Sequence, residues 1–165
     1  MAESFSFDVV SDFDRQELVN TLDQVKREIS QRYDLKGTDT LVDLDKENIF
    51  IISNSELTLN AVNDIIRQKA LKRKLSLKIF DYGEIEMASG NRVKQAILLK
   101  QGIKQEIAKK ISKNIRDHIK KINVSINGET LRVSSRSKND LQLAIKLVSE
   151  LEESLNIPLK ANNFR

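Results

Sequence analysis

The chain has 165 residues, 28 Lys plus Arg against 24 Asp plus Glu, one His, no Cys and 39% hydrophobic side chains. That length and apolar content can bury a core and exclude a disordered chain. The missing Cys excludes disulfide frameworks, thiol nucleophiles and Cys-based zinc sites, and one His excludes every multi-His metal site. No window approaches the roughly 18 apolar residues of a membrane span, and the first residues lack the basic and apolar regions of a leader. The expectation is a soluble, cytoplasmic protein with no membrane partner and no cofactor.

Period-2 and period-3.6 patterns alternate along the chain. Phe7 to Ser11 is a β-branched run that reads as a strand, and Leu18, Leu22, Val25 and Ile29 then fall on one face of a helix spanning about 14–33. Gly37 reads as the left-handed residue closing that helix. Strand-like runs follow at 40–45 and 48–53, and a second helix opens at Ser53 or Ser55, where Ser53 with Glu56 fits a capping box. Leu59, Val62, Ile65 and Ile66 point that helix inward, and it ends in the basic run Lys69, Lys72, Arg73, Lys74. A strand at 75–80 closes the set, and 81–92, with Gly83, Gly90 and Asn91, reads as a linker.

The plan then recurs: a strand at 93–100, a helix at about 103–119, strands at 122–127 and 129–134, a helix at about 138–155 and a last strand near 157–161. At an offset of 82, Glu47 matches Glu129, Ser53 matches Ser135, Ser55 matches Ser137, Leu59 matches Leu141 and Leu77-Lys78 matches Leu159-Lys160. Each half is a β-α-β-β-α-β unit, the ferredoxin-like order. The expected class is α+β: a first repeat at 1–82, a linker at 83–92 and a second repeat at 93–165. Asn127-Gly128 is the stronger hairpin signal, with Asn and Gly expected as the two central residues of a type I′ turn; Asp45-Lys46 is its weaker counterpart.

Charge is segregated along the chain. Residues 1–66 carry 6 basic and 14 acidic side chains, 67–138 carry 19 and 6, and 139–165 carry 3 and 4. The strongly positive middle offers a local potential for polyanions, and solvated lysine faces are the plain alternative. No nucleophile-plus-base set can be assembled, because His118 is alone at the end of a Lys-rich helix, so the expectation is not an enzyme. Asp43, Asp45 and Glu47 read as a hairpin's solvent face sooner than a cation site. No Walker or dinucleotide loop is present.

Binding signals are stronger. On the third helix Ile107, Ile111 and Ile115 share one face, and Lys109, Lys113, Arg116 and Lys120 form a cationic stripe on the other. Around it stand Lys100, Lys104, Arg132, Arg136 and Lys138, the five candidate nucleotide-binding residues. Ser135-Arg136-Ser137-Lys138 joins hydroxyls and a guanidinium to a helix N-terminus, a phosphate-contact pattern that is also an ordinary capping segment. The ferredoxin-like order invites an RNA-recognition reading, but Phe50 is the one aromatic on the strands that would stack bases, so phosphate-dominated binding is the better expectation.

Several stretches resemble the YajQ family of small bacterial nucleotide-binding proteins: Ser6-Phe-Asp-Val-Val-Ser11, Arg32-Tyr-Asp-Leu-Lys-Gly37, Ala88-Ser-Gly-Asn-Arg-Val-Lys-Gln95, Leu99-Lys-Gln-Gly-Ile103, Ala108-Lys-Lys-Ile111, Leu131 through Gln142, and Pro158 through Arg165. The resemblance covers essentially the whole chain. It implies two ferredoxin-like domains in a pseudo-dimer with exchanged first strands, a feature that local residue patterns do not reveal. It also implies association with nucleotides, RNA and, in some bacteria, cyclic di-GMP acting through a transcription regulator. The expected ligand is cyclic di-GMP, GTP or ATP; the alternatives are RNA such as tRNA, or a scaffold docking a transcription regulator. Ser135 stands where many relatives have Gly, and Leu35 where Phe is usual.

Overall fold

The computed structural model describes residues 4–165. Its elements are β1 (Phe5–Val10), α1 (Arg15–Gln31), β2 (Leu41–Leu44), β3 (Asn48–Ser53), α2 (Glu56–Lys72), β4 (Phe80–Tyr82), β5 (Glu86–Ala88), β6 (Arg92–Leu99), α3 (Gln105–His118), β7 (Asn123–Asn127), β8 (Thr130–Ser135), α4 (Lys138–Leu155) and β9 (Lys160–Asn162). This is a mixed α+β architecture with two antiparallel sheets. Strand order is β7-β8-β1-β9 in one and β2-β3-β6-β4 in the other, where β5 also pairs β6. Two compact units result: residues up to Asp12 with Lys100–Arg165, here the C-terminal unit, and Phe13–Leu99, the central unit.

Apolar alternation explains both sheets. In the C-terminal unit Phe7 stands opposite Val133 and Val9 opposite Leu131. All four are fully buried against Ile111, Ile115 and Ala144 of α3 and α4. In the central unit Ile49, Ile51 and Ile97 point the same way, toward Leu18 and Val25 of α1 and Leu59 and Ile66 of α2. Each such side chain contributes about 1.5–3 kcal/mol by leaving water. One face of each sheet is therefore covered by helices, and the alternate residues face outward.

The caps show which local signals operate. Asp14 accepts from the Glu17 N–H, Ser55 from Thr58 and Ser137 from Asp140, so each supplies an acceptor to an otherwise unpaired first-turn donor. β3 and β8 begin 82 residues apart, as do α2 and α4. Ser55, not Ser53, caps α2; Ser53 is buried and its hydroxyl is hydrogen-bonded to that of Thr40 at 2.9 Å.

Four other local expectations are corrected. Leu77–Ile79 is a 3-10 turn, held by the Ser76 hydroxyl accepting from Lys78 N, and the strand begins only at Phe80. Residues 83–92 include β5, which runs back along β6 with Met87 opposite Val93. The second hairpin pairs Asn127 with Thr130, so Gly128 and Glu129 are its central residues. Only Gly128 has a positive φ, +60°, so the turn is not the type I′ form. Gly37 does take a positive φ, +82°, but six residues beyond the end of α1 at Gln31, in the connection to β2.

Candidate functional site

All five candidate residues belong to the C-terminal unit. Lys100 follows β6, and its Nζ donates to the Asn156 carbonyl just past α4 at 2.8 Å. Lys104 is the exposed N-cap residue of α3 and makes no side-chain cap bond. Both lie near the Val10 end of β1, since Gly102 N donates to Ser11 O and Ile103 N to Glu129 O. Arg136 and Lys138 lie at the opposite end, where Phe5 pairs with Ser135 and the Lys138 ammonium sits 4.9 Å from the Phe5 ring centroid. Five strand steps from Phe5 to Val10 separate the ends by about 17 Å. Arg132 stands between them on the uncovered face of β8.

The five residues thus form two terminal pairs and a central arginine rather than one cluster. Arg132 is already engaged: its Nε donates to Asp8 Oδ1 at 3.1 Å, and Asn163 Nδ2 donates to Asp8 Oδ2 at 3.0 Å. The Asn163 and Arg132 bonds hold the Asp8 carboxyl below its ordinary pKa, because both favour the charged form. Ser135, where a Gly was expected from the family pattern, is buried; its hydroxyl donates to Lys121 O and accepts from Ser137 N, fixing the approach to α4. Leu35, in place of Phe, is buried in the central core.

Charge pairing differs between the units. The C-terminal unit has 14 basic and 10 acidic residues, the central unit 14 of each. The basic stretch 67–138 is accordingly shared between them. In the central unit Arg67 pairs with Asp64, Lys69 with Glu28, Arg73 with Glu17 and Lys94 with Glu86. In the C-terminal unit, among the described residues, ion pairs join Arg132 to Asp8 and Lys160 to Asp12. Lys109, Lys113 and Arg116 on α3, with Lys104 and Lys120 at its ends and Arg136 and Lys138 at the start of α4, are exposed and have no carboxylate within 4.0 Å among the described residues. Unpaired surface cations keep their full potential for an incoming anion.

The titratable groups singled out in the sequence are engaged locally. His118 is exposed, and its Nδ1 donates to the Asn114 carbonyl one turn back. Among the described residues no group of three His, Asp or Glu side chains converges to hold a metal ion. Asp45 is spent on its turn: it accepts from the Glu47 and Asn48 amides, which lower its pKa. No described helix is long and apolar enough to cross a membrane.

Two hollows lie in the central unit, where the sequence pattern offered only a helix-end basic run and a lone Phe50. One, of about 420 Å³, is lined by Glu17, Gln24, Lys72, Arg73 and Lys74. The other, about 460 Å³, opens over Phe50 on the uncovered sheet face. The surroundings of Phe50 were not visible locally, because Ala96 opposite it and the Gly83 connection between β4 and β5 lie far along the sequence.

The sequence is similar to known proteins along nearly its full length. Residues 5–165 match the family model described as nucleotide-binding protein YajQ-like. A protein named nucleotide-binding protein from Prochlorococcus marinus strain AS9601 is 93% identical over the whole of both chains. Another, from P. marinus subsp. pastoris, is 79% identical, and one from Synechococcus sp. strain CC9605 is 55% identical, each again over all of both chains. With a match spanning both sheets and all the cations described above, the chain belongs to the YajQ-like family.

Proposed function

We propose that this protein binds a nucleotide without transforming it, cyclic di-GMP being the first candidate and GTP or ATP next, with the phosphates held by Arg136 and Lys138. The observation that carries the reading is that, among the described residues, neither cation has a carboxylate partner, Lys138 lying over the Phe5 ring, at the start of α4 beside helix N–H groups that favour anions. Lys100 and Arg132 have partners of their own, which leaves the α4 end as the freer site. The names of the relatives support the ligand class. The same reading takes each unit as one ferredoxin-like copy of a duplicated pseudo-dimer with exchanged first strands; the 82-residue spacing of matched elements and the pairing of β1 with β8 and β9 support it.

A cyclic dinucleotide reaches one end of the C-terminal sheet, whereas a strand of about five stacked nucleotides spans 17 Å. RNA is therefore the second reading, favoured by the stripe along α3 that continues from Lys104. A scaffold docking a transcription regulator is the third; its complexes would survive high salt and nuclease. Calorimetric competition among cyclic di-GMP, GTP, ATP and a tRNA pool tests the first reading: saturable heat with a nucleotide is expected. Heat with none of them at low salt would refute it.

A further inference from the structure

The uncovered faces of the two sheets differ at matched positions. In the C-terminal sheet the row Ser125, Arg132, Asp8, Asn162 crosses the face, and the Arg132–Asp8 pair closes its centre. Phe50 stands 82 residues before Arg132; across to β6 it meets Ala96, where the C-terminal sheet has Asp8, and across to β2 it meets Asp43. A ring opposite a methyl group leaves room, and the hollow of about 460 Å³ forms there. Phe50, Ile52 and Ala96 make its floor, and Glu84, Glu86 and Lys94 its rim.

The rim depends on Gly83, whose N–H donates to Ala96 O at 2.9 Å. A Cβ at residue 83 would lie 2.7 Å from that same oxygen, so only Gly lets the chain lie so close to β6. The volume is within the roughly 300–1,000 Å³ of small-molecule sites. Phe50 is 39% exposed, with its ring available from above.

The chemistry narrows the occupant. Two carboxylates and one ammonium give the rim a net negative charge, which disfavours a bare polyphosphate. An aromatic floor favours a flat ring, and base–aromatic stacking suits every nucleobase. Glu86 is tied to Lys94 at 4.0 Å, while Glu84 is exposed and has no ion pair among the described residues. A free carboxylate accepts two parallel N–H bonds, and guanine presents N1–H and N2–H side by side, whereas adenine presents an acceptor beside its amine. We propose that this hollow binds the guanine base of a nucleotide, stacked on Phe50, with its donor edge on Glu84 and its phosphate drawn to Lys94. The proposal builds on the nucleotide-binding reading but uses none of its residues.

The chain has no Trp, so Phe50→Trp places a single Trp, excited apart from the two Tyr, in the hollow. GMP should quench it saturably, about tenfold more tightly than AMP, and Glu84→Gln should erase that preference without changing the melting temperature. Phe50→Leu, which keeps an apolar side chain, should weaken GMP binding by about tenfold or more in calorimetry. Equal responses to GMP and AMP, or a preference that survives Glu84→Gln, would overturn the proposal. So would an emission change that follows protein concentration and not nucleotide, because a second copy would then cover the face. If GMP gives heat that Arg136→Ala with Lys138→Ala removes, with no quenching at residue 50, this proposal fails and the phosphate-site reading stands. If no nucleotide gives heat, both fail.

Discussion

Phe7→Ala is the most informative test of how the chain is divided. Phe7 is fully buried and lies in the C-terminal core beside Leu131, Val133 and Ile111, more than ninety residues away in sequence. Truncating a buried Phe costs about 3–5 kcal/mol, the lost transfer free energy plus the cavity left behind. A unit of roughly 80 residues has about 4–12 kcal/mol in total, so the substitution should remove a quarter or more of its stability. Amide exchange followed by NMR should therefore accelerate by about 10² to 10³·⁵ at Leu131, Val133 and the buried turns of α4, since each 1.4 kcal/mol is tenfold. Amides of Ile51 and Ile97 should keep their native rates. Loss of protection at Ile51 and Ile97 with β8 unchanged would refute the assignment of β1 to the C-terminal unit.

Three further outcomes are expected. Asp8 has a folded pKa below its unfolded value, so its contribution is complete above about pH 4 and is lost as pH falls through the folded value; denaturant unfolding from pH 6 to 2 should show a shallower acid limb in Asp8→Asn. In the central core Asn63 Nδ2 donates to Gln95 Oε1 and Gln95 Nε2 to Gly83 O, so Gln95→Ala strands the buried Asn63 amide and should cost about 1–3 kcal/mol by urea unfolding, whereas Gln24→Ala, at the polar hollow, should not. Ser55→Ala and Ser137→Ala each remove one first-turn acceptor and should each cost about 0.5–2 kcal/mol; a cap whose loss changes nothing would contradict its assigned bond.

What was legible in the sequence was periodic and local. Leu18, Leu22, Val25 and Ile29 marked the buried stripe of α1, and the 82-residue offset located β8 and α4 from β3 and α2. What was not legible depends on partners distant along the chain. β5 is three residues, Glu-Met-Ala, with no apolar alternation, and only its ladder to β6 makes it a strand. The hairpin turn sat one residue later than the Asn-Gly signal because Asn127 is used as a ladder residue. The cations of the candidate site were visible as residue types. Their separation to opposite ends of β1, and the commitment of Arg132 to Asp8, required the pairing of strands 120 residues apart. The hollow beside Phe50 was not visible either, because it depends on Ala96, 46 residues further on, standing opposite in the ladder.

The central claim is that phosphate is held at the start of α4. Calorimetry of cyclic di-GMP with Arg136→Ala plus Lys138→Ala, at low and at high salt, tests it most directly. Both residues are exposed, so the fold should be unaffected, and loss of two charge-assisted contacts of about 1.5–3 kcal/mol each should weaken binding at least tenfold and flatten its salt dependence. An affinity and a salt dependence equal to those of the native chain would contradict the account.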